Sequence, residues 1–171
     1  MSHRNIILMG FMGTGKTTVG KLLARKLDME FVDMDRVIEK REARDISSIF
    51  AEAGEPFFRS LERALVQELS TRQGLVIAAG GGVALNPANV ADYSRSGLVV
   101  CLTAAPEVIL KRVSKACHRP LLEGDEKSTR IRDLLEKRQA LYAAIPQQVD
   151  TTRLAPQAVA KVILHMYSGP Q

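Results

Sequence analysis

Five short apolar runs punctuate the chain: Asn5-Ile6-Ile7-Leu8-Met9, Glu30-Phe31-Val32, Leu75-Val76-Ile77-Ala78-Ala79, Gly97–Thr103 and Gln148-Val149-Asp150-Thr151. Each reads as a strand, the first as a buried one. Between them the apolar period lengthens. Val19, Leu22, Leu23 and Leu27 fall at helical spacing, with Lys21, Arg25 and Lys26 on the other side. Val37 and Ile38, then Ile46, Ile49 and Phe50, predict two short helices within 36–54, broken near Arg44-Asp45 and stopped by Gly54. Glu55-Pro56 starts another, since proline suits a first helical turn, and Phe58, Leu61, Leu65 and Leu69 mark its buried side. Pro87 to Ser94 predicts a short surface helix, and Pro106 opens one through Arg112 and Val113. A helix from about Ser128 to Ala144 turns Ile131, Leu134, Leu135, Leu141 and Tyr142 inward. Pro156 begins a terminal helix burying Val159, Val162, Ile163 and Met166.

Strands alternate with helices throughout, with no internal repeat and no Pro/Ser linker. That pattern predicts one α/β domain over residues 1–171 with a parallel sheet. Only 114–127 breaks it. This stretch holds Arg119-Pro120 and Gly124, has little periodicity, and predicts a long loop of the kind that acts as a lid. Lys115, His118 and Arg119 give it a basic character suited to closing over phosphates, although His118 alone reads as a solvated loop residue.

One stretch carries chemistry on its face. Gly10-Phe11-Met12-Gly13-Thr14-Gly15-Lys16-Thr17 fits G-x-x-x-x-G-K-[ST] at every fixed position. Phosphates entering a protein must keep hydrogen bonds as they leave water. Glycines let backbone N–H groups wrap them closely, Lys16 adds charge at the β/γ end, and the Thr17 hydroxyl suits Mg²⁺. The setting, a strand before and a helix N-terminus after, favours an anion in its own right.

Other residues are informative beside this loop. Asp33 and Asp35 close the second strand and are read as facing opposite ways, one toward a metal and one toward a second substrate. Read alone, the pair would cap a helix starting near Arg36. Arg59 sits beside the apolar stripe of its helix with Glu62 three residues on. It is either a surface ion pair or an arginine that Glu62 orients toward an anion. Gly80-Gly81-Gly82 follows the third strand, where close approach of backbone to ligand is favoured over a floppy turn. Arg138 shares the inward face of its helix with Ile131 and Tyr142, and its neighbours three and four residues away offer no carboxylate. Its anion must come from elsewhere, a protein acid or a bound ligand.

Composition adds bounds. In 171 residues the chain is 46% hydrophobic and 25% charged, ordinary for a globular domain, and no run approaches a membrane span. The N-terminus enters a strand rather than a signal peptide, and Cys101 and Cys117 form no disulfide framework, which points to the cytoplasm. The net charge of +5 comes from scattered residues, and aromatics are only 5%. This favours small acidic ligands over nucleic acid. No exposed apolar helix face demands a partner, so a monomer is expected.

Taken in order, these residues resemble the shikimate kinases over nearly the whole chain. The similarity rests on GFMGTGKT, Asp33-x-Asp35, Phe57-Phe58-Arg59 with Glu62, Gly80-Gly81-Gly82, Arg119-Pro120-Leu121-Leu122 and Arg138-x-x-x-Tyr142. The loop alone is shared by many NTPases, and the other five together carry the specificity. The resemblance implies a P-loop three-layer fold like the nucleoside-monophosphate kinases: a five-stranded parallel sheet flanked by helices, a lid near 114–127 and an acceptor-binding helical region near 34–62. It implies transfer of the ATP γ-phosphoryl group to the 3-hydroxyl of shikimate, on the route to chorismate and aromatic amino acids. Gly13, Thr14, Gly15, Lys16, Thr17, Thr18, Arg112 and Arg119 would then hold ATP. Asp35, Arg59, Gly80, Gly81, Gly82 and Arg138 would hold shikimate, and Thr17 with Asp33 would position Mg²⁺. Lys16, Asp35 and Arg119 would carry the chemistry. The chain departs from the family at Asp28, where a glycine is usual, at Met34, where a smaller residue is usual, and at Leu154, where a polar or basic nucleotide contact is common. A kinase of another small acid, such as gluconate, is the nearest alternative. A nucleotide sensor or a nucleic-acid NTPase would leave Arg138 and the triple glycine without a role.

Overall fold

The computed structural model describes residues 4–116 and 125–169. Five strands, β1 (Asn5–Gly10), β2 (Glu30–Asp33), β3 (Leu75–Ala78), β4 (Gly97–Thr103) and β5 (Gln148–Asp150), form one sheet in the order β2-β3-β1-β4-β5. Every pairing is parallel. Ile7 of β1 lies opposite Ile77 on one side and Val99 on the other. All the carboxyl ends therefore open on one edge. β1 sits between strands added in opposite directions, and the crevice at such a reversal is where α/β proteins bind ligands.

Among the described residues seven helices cover the sheet: α1 (Lys16–Leu27), α2 (Met34–Glu42), α3 (Ile46–Ser70), α4 (Pro87–Ser96), α5 (Pro106–Ala116), α6 (Asp125–Ala143) and α7 (Pro156–Ser168), with a 3₁₀ turn at Val83–Leu85. The alternation of β1 divides the core in two. Ile6 and Leu8 join Val19, Leu23, Val159 and Ile163 under α1 and α7. Ile7 and Met9 face the other layer with Met34, Ile38, Phe58, Leu65, Tyr93 and Ile109. Cys101 is buried there, as its apolar strand predicts.

The breaks fall where the sequence places them. Ala43 ends α2 in a left-handed conformation, Asp45 caps α3, and Gly54 kinks α3 at φ 81° and ψ 169°. Asp28 adopts φ 53° at the end of α1, the left-handed cap that a glycine takes with less strain. Several expectations need adjustment. The periodicity-poor stretch is shorter than 114–127, because residues 114–116 continue α5 and 125–127 open α6. Arg119, His118 and Cys117 fall in 117–124, outside the described residues. Leu134 and Val162 are exposed (38% and 39%), since their helices present a narrower apolar face than the spacing suggests. α4 is the expected surface helix, with Pro87, Ala88, Ala91, Ser94 and Arg95 exposed, but it runs to Ser96 and its inner face buries Asn89 and Tyr93.

Candidate active site

On the donor side the site is built from backbone. Gly13 and Gly15 take φ of 76° and 101°, where any side chain would be strained. The loop can then turn sharply between β1 and α1. α1 starts at Lys16, so its free N–H groups face the same space. Lys16 folds back and donates from Nζ to the carbonyls of Gly10 and Phe11, both at 2.8 Å. Burial pushes its pKa down to about 8, against the pull of Asp35 and Asp33.

Thr17 Oγ1 donates to Asp33 Oδ2 at 3.0 Å, and the other Asp33 oxygen caps α2 through Arg36 N at 3.5 Å. The metal and capping readings of Asp33 are therefore both compatible with its position. The expectation that Asp33 and Asp35 face opposite ways fails. Positions i and i+2 of a strand share a face, and here β2 ends at Asp33 while Asp35 lies in the first turn of α2. Both border one cavity.

That cavity, about 600 Å³, is lined by Gly13, Gly15, Lys16, Thr17 and Thr18 on one side and by Asp33, Asp35, Arg59, Glu62, Gly81, Gly82 and Arg138 on the other. Four segments distant in sequence supply the second group. Burial and the charge of Asp33 raise the proton affinity of Asp35, while Lys16 and Arg59 oppose this. Arg59 donates from Nη1 to Glu62 Oε2 at 2.5 Å and from Nη2 to Glu55 Oε1 at 2.8 Å. Glu62 is 1% exposed, so this is no surface pair, and its Oε1 has no hydrogen-bond partner among the described residues. Burial raises the pKa of Glu62 although Arg59 pulls it down.

Gly80 supplies close approach rather than lining. A Cβ there would stand 2.7 Å from Asp35 Oδ1 and 2.8 Å from Glu62 Oε1, and one on Gly82 would stand 1.9 Å from Arg59 Nη1. Arg138 reaches the same turn, donating from Nη1 to Gly81 O at 3.4 Å, with its guanidinium 5.9 Å from the Phe11 ring centre. Among the described residues no carboxylate pairs with it. Two contacts escaped sequence reasoning: the Phe11 ring beneath Arg138, and the Tyr142 hydroxyl, which donates to Gly81 O at 2.7 Å. The spacing of Arg138 and Tyr142, four apart on one helix face, is the signal that could have linked both to one target.

Thr14 and Arg112 lie to one side. The Thr14 side chain turns inward onto Phe11 O at 2.8 Å. Arg112 donates to Gly13 O at 3.2 Å and to Thr151 O at 2.8 Å, tying the loop to the end of β5. With Leu154 and Pro156 they border a neighbouring cavity of about 340 Å³.

The family model for shikimate kinase matches residues 12–168. The chain belongs to the shikimate kinase family. A curated relative, the shikimate kinase of Thermodesulfovibrio yellowstonii, is 43% identical over 164 residues, covering 96% of this chain and 95% of that one. The solved structure of the Acinetobacter baumannii shikimate kinase, in complex with shikimate, superposes with a TM-score of 0.87 at 38% identity, over 96% of this chain and 92% of that one. A gluconokinase from Sinorhizobium meliloti superposes at 0.61 with 18% identity, over 96% and 91% of the two chains, a likeness of fold alone. As a shikimate kinase the chain is an ATP-dependent phosphotransferase on the expected α/β P-loop scaffold. Among its described residues no helix is long and apolar enough to cross a membrane.

Proposed function

We propose that the chain transfers the γ-phosphoryl group of ATP to the 3-hydroxyl of shikimate, with the acceptor seated opposite the phosphate loop. One observation carries this reading: Asp35, Arg59 and Arg138, from three different elements, border one cavity with Lys16. Shikimate has one carboxylate and three hydroxyls, and two guanidiniums with one carboxylate are its complement. Arg59 and Arg138 hold the acceptor carboxylate, and the Gly80–Gly82 backbone lets the ring approach. Asp35 accepts hydrogen bonds from the ring hydroxyls and orients the attacking one. The raised proton affinity of Asp35 is the direction a proton acceptor requires.

Phosphoryl transfer depends on positioning and charge neutralisation. Lys16 leaves the Gly10 and Phe11 carbonyls for the β/γ-phosphates, and Gly13, Thr14, Gly15, Thr17 and Thr18 offer N–H and hydroxyl groups. Arg112 stands near the adenosine end, and Arg119 adds charge from the lid, whose closure excludes water. Thr17 Oγ1 and Asp33 Oδ2, 3.0 Å apart, are hard oxygen donors that suit Mg²⁺, with Asp33 acting through water. When bound, Mg²⁺ neutralises charge between the β- and γ-phosphates. The whole chain acts as one kinase domain, monomeric and cytoplasmic.

The test is coupled detection of ADP release with shikimate or gluconate as acceptor, with and without Mg²⁺. ADP formation that requires both shikimate and Mg²⁺ supports the reading. Turnover with gluconate alone, or ATP hydrolysis indifferent to acceptor, overturns it.

A further inference from the structure

The helix that the sequence assigns to the surface grips both halves of the acceptor site from behind. None of the side chains lining the acceptor cavity comes from α4. Yet α4 buries two polar residues, Asn89 at 3% exposure and Tyr93 at 0%, four apart and so on one helix face. Each bonds to a segment that carries site residues. Asn89 Nδ2 donates to Val83 O at 3.0 Å. Val83 in turn closes the glycine turn, donating from N to Gly80 O at 3.1 Å. Tyr93 places its hydroxyl 3.1 Å from the sulfur of Met34, the residue between Asp33 and Asp35. Met34 is itself fully buried, so its backbone moves with whatever holds its side chain.

The grip is anchored. Arg63 of α3 donates to Asn89 Oδ1 at 3.1 Å and to Asp92 Oδ2 at 2.5 Å. This fixes the amide so that its N–H₂ faces Val83. Burial and the nearby Glu62 keep Tyr93 protonated and therefore a donor.

We infer that Asn89 and Tyr93 are positioning residues for phosphoryl transfer: from α4 they set the distance between the Gly80–Gly82 turn and Asp35, and so the width of the acceptor pocket. Buried polar groups with partners are common in any core. Here both partners belong to segments that meet the acceptor, and neither belongs to the nucleotide loop. The glycine turn that Asn89 holds meets the acceptor alone, while Met34 adjoins Asp33 as well as Asp35, so the effect must fall mainly on shikimate and most cleanly in Asn89→Ala. The inference rests on the acceptor site proposed above, which has its own test: Asp35→Asn and Arg138→Lys leave shikimate kinetics untouched if that site is wrong.

The decisive measurement is steady-state kinetics in both substrates for Asn89→Ala and Tyr93→Phe, with Ile163→Ala as a reference. Ile163 is a fully buried residue of α7 on the opposite face of the sheet, and its loss lowers stability without touching α4. Losing a buried hydrogen bond predicts about a tenfold fall in kcat/KM for shikimate in Asn89→Ala and about threefold in Tyr93→Phe, with KM for ATP within about twofold of wild type. Ile163→Ala lowers Tm and leaves both KM values alone. The inference fails if Asn89→Ala and Tyr93→Phe behave like Ile163→Ala, or if they raise both KM values in proportion. Should Asn89→Ala not fold, Tyr93→Phe, which removes one oxygen and keeps the ring, decides alone.

Discussion

The two halves of the site are made in opposite ways. The centre of the donor half is one uninterrupted stretch, Gly10 to Thr18, and its geometry comes from backbone, with left-handed glycines and the start of α1. The acceptor half is four fragments, from α2, α3, the turn after β3 and α6, and its geometry comes from side chains meeting across the core. A half built from backbone tolerates change at its flanks but not within its motif. A half built from convergence depends on every element that sets where a fragment sits, including ones that touch no ligand. Phosphate recognition is common to many chemistries and needs only N–H groups and charge. Recognising one hydroxylated acid needs charges fixed in three dimensions, which no single stretch supplies.

The sharpest way to break this contrast is to remove a charge from the acceptor half and ask whether the donor half notices. Asp35→Asn keeps shape and loses the proton acceptor. It is expected to lower kcat by about 10³-fold or more, while ATP still binds with its original Kd by titration calorimetry. Full activity would exclude Asp35 from orienting or deprotonating the hydroxyl. Arg138→Lys comes next. An ammonium cannot fork onto a carboxylate, so KM for shikimate should rise about 10- to 100-fold with little change for ATP. Unaltered shikimate kinetics in that variant would remove Arg138 from the pocket.

The same contrast explains what could be read before any coordinates. The five strands, the break at Gly54 and the phosphate loop were legible because each is encoded locally, by period or by a residue with few conformational options. The acceptor residues were legible only as anomalies: Arg138 on an apolar face with no partner, and three glycines after β3. That they meet could not be read from spacing, because convergence is a property of topology. The opposite-faces expectation for Asp33 and Asp35 inverts the strand period, under which residues two apart share a face, and β2 in any case ends at Asp33, leaving Asp35 to the first turn of α2. The inner face of α4 was not legible because Asn89 looks like a surface residue until Val83 and Arg63 are seen to satisfy it.

A subtler break leaves every charge in place. Gly82 has an ordinary φ of −97°, so alanine fits its backbone, but the new methyl would fall 1.9 Å from Arg59 Nη1. The guanidinium must move. Gly82→Ala is expected to raise KM for shikimate about tenfold, with Tm nearly unchanged because the displaced group is the end of a flexible chain. If alanine there leaves shikimate binding intact, Arg59 holds nothing that depends on its position.

The smallest effect is the most discriminating, because it separates an orienting residue from a structural one. Glu62 pays for burial with a raised pKa even with Arg59 at 2.5 Å, so its ionised form is disfavoured in the folded chain relative to the neutral form. Between the ordinary glutamate value and the raised one, the folded state binds more protons than the unfolded state. The contribution of Glu62 to stability therefore rises as pH falls through that window. Glutamine mimics the neutral form. Glu62→Gln should hold or raise Tm at neutral pH, and that margin over wild type should shrink as pH is lowered. Arg59 would keep Glu55 but lose its buried carboxylate, and KM for shikimate should rise about threefold. A structural ion pair behaves in the reverse way: its loss lowers Tm by several degrees at neutral pH and leaves the acceptor constant alone, because nothing in the pocket depends on where Arg59 points.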